Sequence, residues 1–406
     1  MKNRYLRRAV HSAAAVTAAL CTAIMFAVGY YGTSLPDNYT TEHGTPLRIS
    51  SALPVTAAAV ADSRAALSGN DTAAHPMSLR LFGSVPIKQV KETPVERPML
   101  LVGGTAFGIK LVTDGVMIID LKKLSGRCPA AEAGLAVGDV IESVNGERVS
   151  SNSRVSELIR TSMGGGCTVT YRRGEQHRET TIIPVFSEGS YRAGMWVRDS
   201  SAGIGTITFY DPSTGAFAGL GHSICDADTH EPLPLSHGSI TNVTLNGCTK
   251  SSKGEPGQLI GEFTGEDCGT LTLNCDGGVY GISDTLPRCE IFPLGFSQEV
   301  HTGRAYIYSQ LDDTAERFEI SIERVSPLDC GHDLIIKATD KRLLERAGGI
   351  VQGMSGSPII QDGRLVGAVT HVFIDDPTGG YGIFAEKMYR CSLEASQRSA
   401  EDLAAG

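Results

Sequence analysis

Between residues 186 and 395 the chain never runs far without a turn residue. Segments such as "GIGTITFYDPSTGAFAGLGH" and "GVYGISDTLPRCEIFPLGF" set short apolar runs between Gly, Pro and Asp. A helix needs roughly ten or more residues with apolar positions three and four apart, so runs this short bury a face only as paired strands. Asp211-Pro212-Ser213-Thr214-Gly215 supplies a turn mechanism, because Pro presets φ, Gly tolerates positive φ and Asp bonds its own backbone. The expectation for 186–395 is an all-β barrel or sandwich. Its one helical stretch is "DKRLLERAGG", closed by glycine. The 47 glycines of the 406-residue chain suit such a turn-rich fold.

Residues 78–185 read as a smaller domain. "FGIKLVT" and "GVMIIDL" are strand-like, and "NSRVSELIRTSM" is helical with Val155, Leu158, Ile159 and Met163 on one face. Between them, "PAAEAGLAVGDVIESVNGERV" reads as a short helix ending at Gly134, a turn at Gly138-Asp139 and a tight Asn145-Gly146 hairpin. This segment resembles a PDZ domain of the bacterial protease-associated type. The resemblance implies a peptide-binding loop in "GGTAFGIKL", with Phe107, Gly108 and Ile109 nearest the ligand. A C-terminal or internal peptide would add there as an extra strand.

Upstream, "MKNRYLRR" is basic, and the following "AVHSAAAVTAALCTAIMFAVGYYG" holds no Asp, Glu, Lys or Arg. That pattern predicts an export signal long enough to span a bilayer, retained as an anchor over 1–32 with the rest of the chain outside. Residues 33–77, rich in Ala, Ser, Thr and Pro, are expected to be a flexible stalk, and 396–406 a tail. Lys+Arg 36 against Asp+Glu 45 gives 36 − 45 = −9, which argues against a nucleic-acid partner. The ten cysteines contain no CxxC pair, so a zinc ribbon is not expected. Cys268 and Cys275 are the nearest pair should disulfides form.

Gly353-Met354-Ser355-Gly356-Ser357-Pro358 stands just before an apolar run. A serine hydroxyl attacks a carbonyl when a base takes its proton and a third group orients that base. The developing oxyanion needs fixed donors. Gly353 and Gly356 permit a sharp turn, and the N–H groups of Gly353 and Ser355 are the expected oxyanion donors. The turn resembles Gly-Asp-Ser-Gly-Gly-Pro of chymotrypsin-like peptidases, with Met354 for Asp and Ser357 for the second Gly. "PIIQDGRLVGAV", turning at Asp362-Gly363, would seat it on a hairpin.

Of ten histidines, His222 at the strand end in "FAGLGHSI" is the expected base. His371 in "GAVTHVF" is its rival, with a packed or supporting role expected, and His230, His237, His301 and His332 are expected at the surface. Asp340, ending "IIKATD", is the expected orienting carboxylate, with Asp284 and Asp329 in reserve. Its place before "KRLLER" fits a helix N-cap equally well. The order His222, Asp340, Ser355 is chymotrypsin-like, although Asp340 lies unusually close to Ser355.

The apolar N-terminus, the PDZ-like segment, "GLGHSI", "TD" and "GGIVQGMSGSPIIQDGRLVGAVTHVFIDDPTGGYG" together resemble the SpoIVB sporulation serine peptidases over most of 78–390. The resemblance implies a mostly β chain with some α: a membrane anchor, a PDZ domain over 78–185 and a chymotrypsin-like double-barrel-type peptidase domain over 186–395. It implies His222, Asp340 and Ser355 as base, orienter and nucleophile, and no metal or organic cofactor. It further implies a signalling endopeptidase at the forespore membrane, facing the space between forespore and mother cell. That enzyme cuts itself and a regulator of an intramembrane protease, so that a late mother-cell sigma factor is activated, and an inhibitor protein fits among its partners. The competing reading is a PDZ-based adaptor with an inactive protease-like domain.

Overall fold

The computed structural model describes residues 2–49, 51–60, 74–326 and 332–405. The chain is mostly β, with five helices among the described residues: α1 (Lys2–Ser34), α2 (Pro129–Glu132), α3 (Asn152–Thr161), α4 (Lys341–Ala347) and α5 (Ala385–Ala405). Within α1, Ala13–Ser34 is long and apolar enough to cross a membrane.

The end of α1 runs directly into folded structure. Strands Asn38–Glu42, Val85–Val95, His75–Leu81 and Val55–Ala59 form a four-stranded sheet in that order. Its core of Tyr39, Val55, Leu79, Leu81 and Val90 also buries Tyr31 of α1. The Tyr31 hydroxyl accepts the Leu53 N–H at 3.0 Å, and Lys88 bonds the Leu35 carbonyl and the Asp37 carboxylate. The stretch expected to be a flexible stalk therefore contributes two strands. Residues 78–95, expected within the PDZ domain, belong to the same sheet, together with 75–77 of the expected stalk. "VTAAA" carries too little apolar surface to form a core alone, and Leu79 and Leu81 on its partner strand supply it.

This sheet is fastened to the C-terminal half. Arg97 is largely buried, bonded to Glu42 at 3.0 Å and Glu299 at 2.9 Å, with its guanidinium 4.2 Å from the Phe296 ring centre. The Thr40 hydroxyl donates to Glu386 at 2.5 Å.

Strands Ala106–Leu121, Val140–Val144, Cys167–Arg173 and Gln176–Ile182 pack with α2 and α3 around Val116, Ile118, Leu135, Ile141, Val155, Ile159 and Val169. Asn145 and Gly146 take φ of 53° and 77°, as a tight hairpin with positive φ at both central residues requires. Ser151 caps α3 by accepting the Arg154 N–H. Val155 and Ile159 are buried as expected. Met163 is 75% exposed, because the helix stops at Thr161 and Met163 turns to φ 53°.

Strand Met195–Tyr210 joins the two halves. It pairs with Ala106–Leu121 from Met195↔Leu121 to Thr206↔Ala106, then with Met99–Val102 through Phe209 and Tyr210. The last six strands, Gly303–Gln310, Ala315–Val325, Leu334–Ala338, Gly379–Phe384, Arg364–Val372 and Pro358–Gln361, close a barrel in that order. Ile307, Phe318, Ile320, Ile336, Ile359, Val369 and Phe384 fill it, none more than 1% exposed. The predicted turns form: Ser213 donates through N–H and hydroxyl to the Asp211 carboxylate, and Asp362 and Gly363 take φ of 49° and 72°. Gly348, at φ 75°, closes α4.

Candidate active site

The Ser355 turn is clamped between the barrel and the long strand. Thr206 donates its N–H to the Ser355 carbonyl (2.9 Å) and its hydroxyl to the Gly353 carbonyl (2.7 Å). The Thr208 hydroxyl donates to the Gly356 carbonyl at 2.7 Å. From the barrel side, Gly356 N–H donates to Val369 O and Val369 N–H to Ser357 O. Gly356 sits at φ 95°, and a Cβ there would lie 1.9 Å from the Thr206 carbonyl oxygen, so only glycine fits. Among the described residues, neither Gly353 N–H nor Ser355 N–H has an acceptor. The Ser355 hydroxyl donates to the Thr370 carbonyl at 2.6 Å.

His222 follows strand Ala216–Gly219 through Leu220 and Gly221, both at positive φ. Its Nδ1 lies 2.8 Å from the Ser223 carbonyl oxygen. A carbonyl only accepts, so Nδ1 carries the proton and Nε2 of the neutral ring keeps a lone pair. Burial pushes the His222 pKa below 6.5, with the Ser223 carbonyl opposing in part. The His371 ring lies 4.5 Å from that of His222, tilted by 33°. Desolvation within the cleft, followed by the charge of His222 and His332, pushes His371 down to about 4 even though the residue is exposed.

His222, Ser355, Gly353, Thr370 and His371 line one cleft of about 930 Å³. His230 and His332, expected at the surface, line it as well, as does Asp276. The loop after His222 is pinned by Asn274, whose amide accepts the Ile224 N–H and donates to the Ile224 and Leu233 carbonyls. Thr206, Thr208 and Asn274 were not found by sequence reasoning. Each acts through space on backbone far away in the chain, and none stands in a motif.

Asp340 is not brought to this cleft. Its carboxylate caps α4, accepting the Arg342 N–H at 2.9 Å and the Glu319 N–H at 3.2 Å, and it pairs with the Arg342 guanidinium. That guanidinium, the first cause, and the two N–H groups hold its pKa below the usual carboxylate value against a desolvation penalty. Asp340 faces a separate concavity beside Arg304, Tyr306, Glu316, Arg317 and Glu319. The expected orienting role is corrected accordingly: a seven-residue helix begins here, and its first turn uses both carboxylate oxygens. Asp284 is exposed and outside the cleft. Asp329 lies outside the described residues.

The PDZ ligand residues also need correction. Phe107, Gly108 and Ile109 lie inside a strand flanked on both sides, by Gly203–Gly205 and by Ile240–Asn242. Phe107 and Ile109 are 4% and 3% exposed, so no peptide can add a strand there. An open groove lies elsewhere, between α3 (Asn152, Val155, Ser156, Ile159) and Met195-Trp196-Val197, with a volume of about 840 Å³. Among the described residues, only one edge of the strand is paired over 195–198, to residues of Met117–Leu121.

Comparison with known proteins identifies the architecture. Residues 189–389 match the family described as SpoIVB peptidase S55, and residues 126–173 match a PDZ domain. A protein of Lactococcus lactis subsp. lactis (strain IL1403) named "Putative zinc metalloprotease" is 33% identical over 95 residues, 23% of this chain and 21% of that protein. The chain thus matches about a fifth of that curated relative's length. Among solved structures, the PDZ domain of the SdrC-like protein from Listeria monocytogenes is 23% identical, covering 21% of this chain and 87% of its own, with a TM-score of 0.19. The HtrA-type protease AlgW with decapeptide is 14% identical, covering 50% and 55%, with a TM-score of 0.28. The family matches and the barrel topology agree on one conclusion: this chain carries a peptidase domain of the SpoIVB peptidase S55 family together with a PDZ domain.

Proposed function

We propose that Ser355 is the nucleophile and His222 the general base of an endopeptidase. The observation that carries this reading is a single cleft holding both side chains beside the acceptor-free N–H groups of Gly353 and Ser355. The Ser223 carbonyl fixes the His222 tautomer, the task an aspartate performs in a Ser-His-Asp triad. In the form described, the Ser355 proton points at Thr370 O, so rotation about χ1 toward His222 Nε2 precedes attack. Ser355 Oγ then adds to the scissile carbonyl while His222 takes its proton. The oxyanion settles on the two N–H groups, and His222 returns the proton to the leaving amine. Hydrolysis of the acyl-enzyme repeats the cycle with water.

In this reading α1 is an uncleaved anchor, and the peptidase works outside the cytoplasm at the forespore membrane. Its substrates are itself and a regulator of an intramembrane protease, and the cut leads to sigma-factor activation in the mother cell. The support is the family match together with the apolar helix. A peptide partner or substrate segment would lie in the groove between α3 and Met195–Val197, adding to the unpaired strand edge. The test is a fluorophosphonate probe on the full chain in detergent, comparing wild type with Ser355→Ala and Ser357→Ala. Labelling and self-cleavage lost only in Ser355→Ala support the mechanism. A folded wild-type protein that is never labelled would leave an adaptor that binds peptides without cutting them.

A further inference from the structure

Cys275 ends strand Leu259–Cys275, and Cys391 lies on α5. The Cys391 thiol sits beside the turn that follows Cys275, where a Cβ on Gly277 would lie 3.6 Å from its sulfur, and both cysteines pack on the same apolar cluster around Tyr280. The pairing suggested by sequence proximity does not form. Cys268 and Cys275 lie on one extended strand, about 23 Å apart over seven residues, and the Cys268 thiol faces the Ile240 carbonyl.

The residues flanking Cys275 serve the cleft. Asn274 holds the loop after His222 at both ends, and Asp276 lines the cleft itself. Gly278, two residues further, lies so close to the chain before His222 that a Cβ there would meet Gly219 O at 2.6 Å and Gly221 N at 3.1 Å. Cys391 projects from the helix that covers strands Gly278–Ser283, Ala216–Gly219 and Arg364–Val372, the last of which carries Thr370 and His371.

We propose that Cys275 and Cys391 form a disulfide that fastens the C-terminal helix to the turn supporting the His222 loop. The oxidant is a disulfide of low molecular mass or an oxidised dithiol protein. The Cys275 thiolate attacks one oxidant sulfur, forming a mixed disulfide and releasing one thiolate. Cys391 then attacks the Cys275 sulfur, its proton passes to the departing second thiolate, and two electrons have moved from the pair to the oxidant. Cys391 beside it lowers the Cys275 pKa from its ordinary value, against the desolvation of the site, and the thiolate is the form that attacks. Cys268 and Cys289 are shifted the other way by burial and react more slowly.

The experiment treats the full chain in detergent with glutathione disulfide, blocks free thiols with N-ethylmaleimide and maps the peptides by mass. The expected product joins the Cys275 and Cys391 peptides with loss of two hydrogens, and dithiothreitol reverses it. Cys391→Ser is expected to stop at the glutathione adduct on Cys275. Oxidation is expected to raise the melting midpoint by ~5 to ~10 °C in wild type and not in Cys391→Ser. Wild type that keeps Cys391 free while Cys275 carries glutathione would overturn the proposal. So would a cross-linked chain whose melting midpoint does not rise.

Discussion

Thr206→Val tests whether the clamp on the Ser355 turn has the catalytic consequence assigned to it. Valine keeps the shape and the N–H that donates to Ser355 O, and removes only the hydroxyl bonded to the Gly353 carbonyl at 2.7 Å. Residue 206 is 1% exposed, so water does not readily replace the lost donor. The net loss of a hydrogen bond is ~1 kcal/mol, rising to ~1–3 kcal/mol when a buried acceptor is orphaned. For a domain of this size, each kcal/mol lowers the melting midpoint by ~2–4 °C. The catalytic effect expected from the proposed mechanism is separate, because loosening the turn at Gly353 lets one of the two proposed oxyanion donors wander. Complete loss of a donor costs ~10²–10³ in kcat, so partial misplacement is expected to slow fluorophosphonate labelling by ~10- to ~100-fold. The assay is the second-order labelling rate at a temperature where both proteins are folded by circular dichroism. Thr208→Val, which frees the Gly356 carbonyl, is expected to destabilise comparably and slow labelling less, since Gly356 is not an oxyanion donor. A folded Thr206→Val protein labelled within twofold of wild type would refute the reasoning.

Two further outcomes follow from the site. Asp340→Asn keeps an acceptor for the Arg342 N–H that caps the helix but loses the ion pair with Arg342 and the acceptor for the Glu319 N–H, so stability is expected to fall by ~1–2 kcal/mol and labelling to change by less than ~3-fold. A loss near ~10⁴, the cost when an orienting carboxylate is amidated, would restore Asp340 to the triad. The second outcome is pH dependence. His222 and His371 both titrate below 6.5 in the folded chain, so the unfolded chain binds more protons between 6.5 and their folded values. Their contribution to stability is fully present above ~6.5 and is lost as pH falls toward about 4. Because His222 stays neutral below 6.5, the acid limb of kcat/KM is expected to have its midpoint under 6.5, and a midpoint at or above that value would contradict the buried geometry.

The shape of the Ser355 turn was legible because its demands are local. Positive φ at Gly353 and Gly356, and the hairpin at Asp362-Gly363, are written in adjacent residues. The position of His222, at a strand end among glycines, was legible for the same reason, and the fold brings it into the Ser355 cleft. Asp340 was ambiguous in principle, since the same position before "KRLLER" suits a cap and an orienter, and only the three-dimensional direction of the strand decides. The PDZ ligand loop failed differently. A strand pattern at Phe107–Ile109 says that the segment pairs, but not with how many neighbours, and both edges turned out to be occupied. The small N-terminal sheet was invisible because "VTAAA" gains its apolar partners from residues some twenty positions away. Thr206 and Asn274 are polar residues within ordinary strand patterns, and nothing in the sequence marks which distant carbonyl each will hold.

The union of α1 with the N-terminal sheet bears on how such an enzyme would choose its targets. A catalytic head on a slack leash samples a wide volume and can stoop to any bond within its radius. Here Tyr31, Leu35 and Asp37 root the head within a few residues of the helix end, and Arg97 braces it against the sheet. With α1 in a bilayer, the cleft stands at one altitude above the lipid, free to drift sideways but not to rise or dip. Under the proposed function, selection would then be partly a matter of elevation: a neighbouring membrane protein would be cut where its chain passes through that plane, and an otherwise suitable bond a few nanometres higher would go untouched.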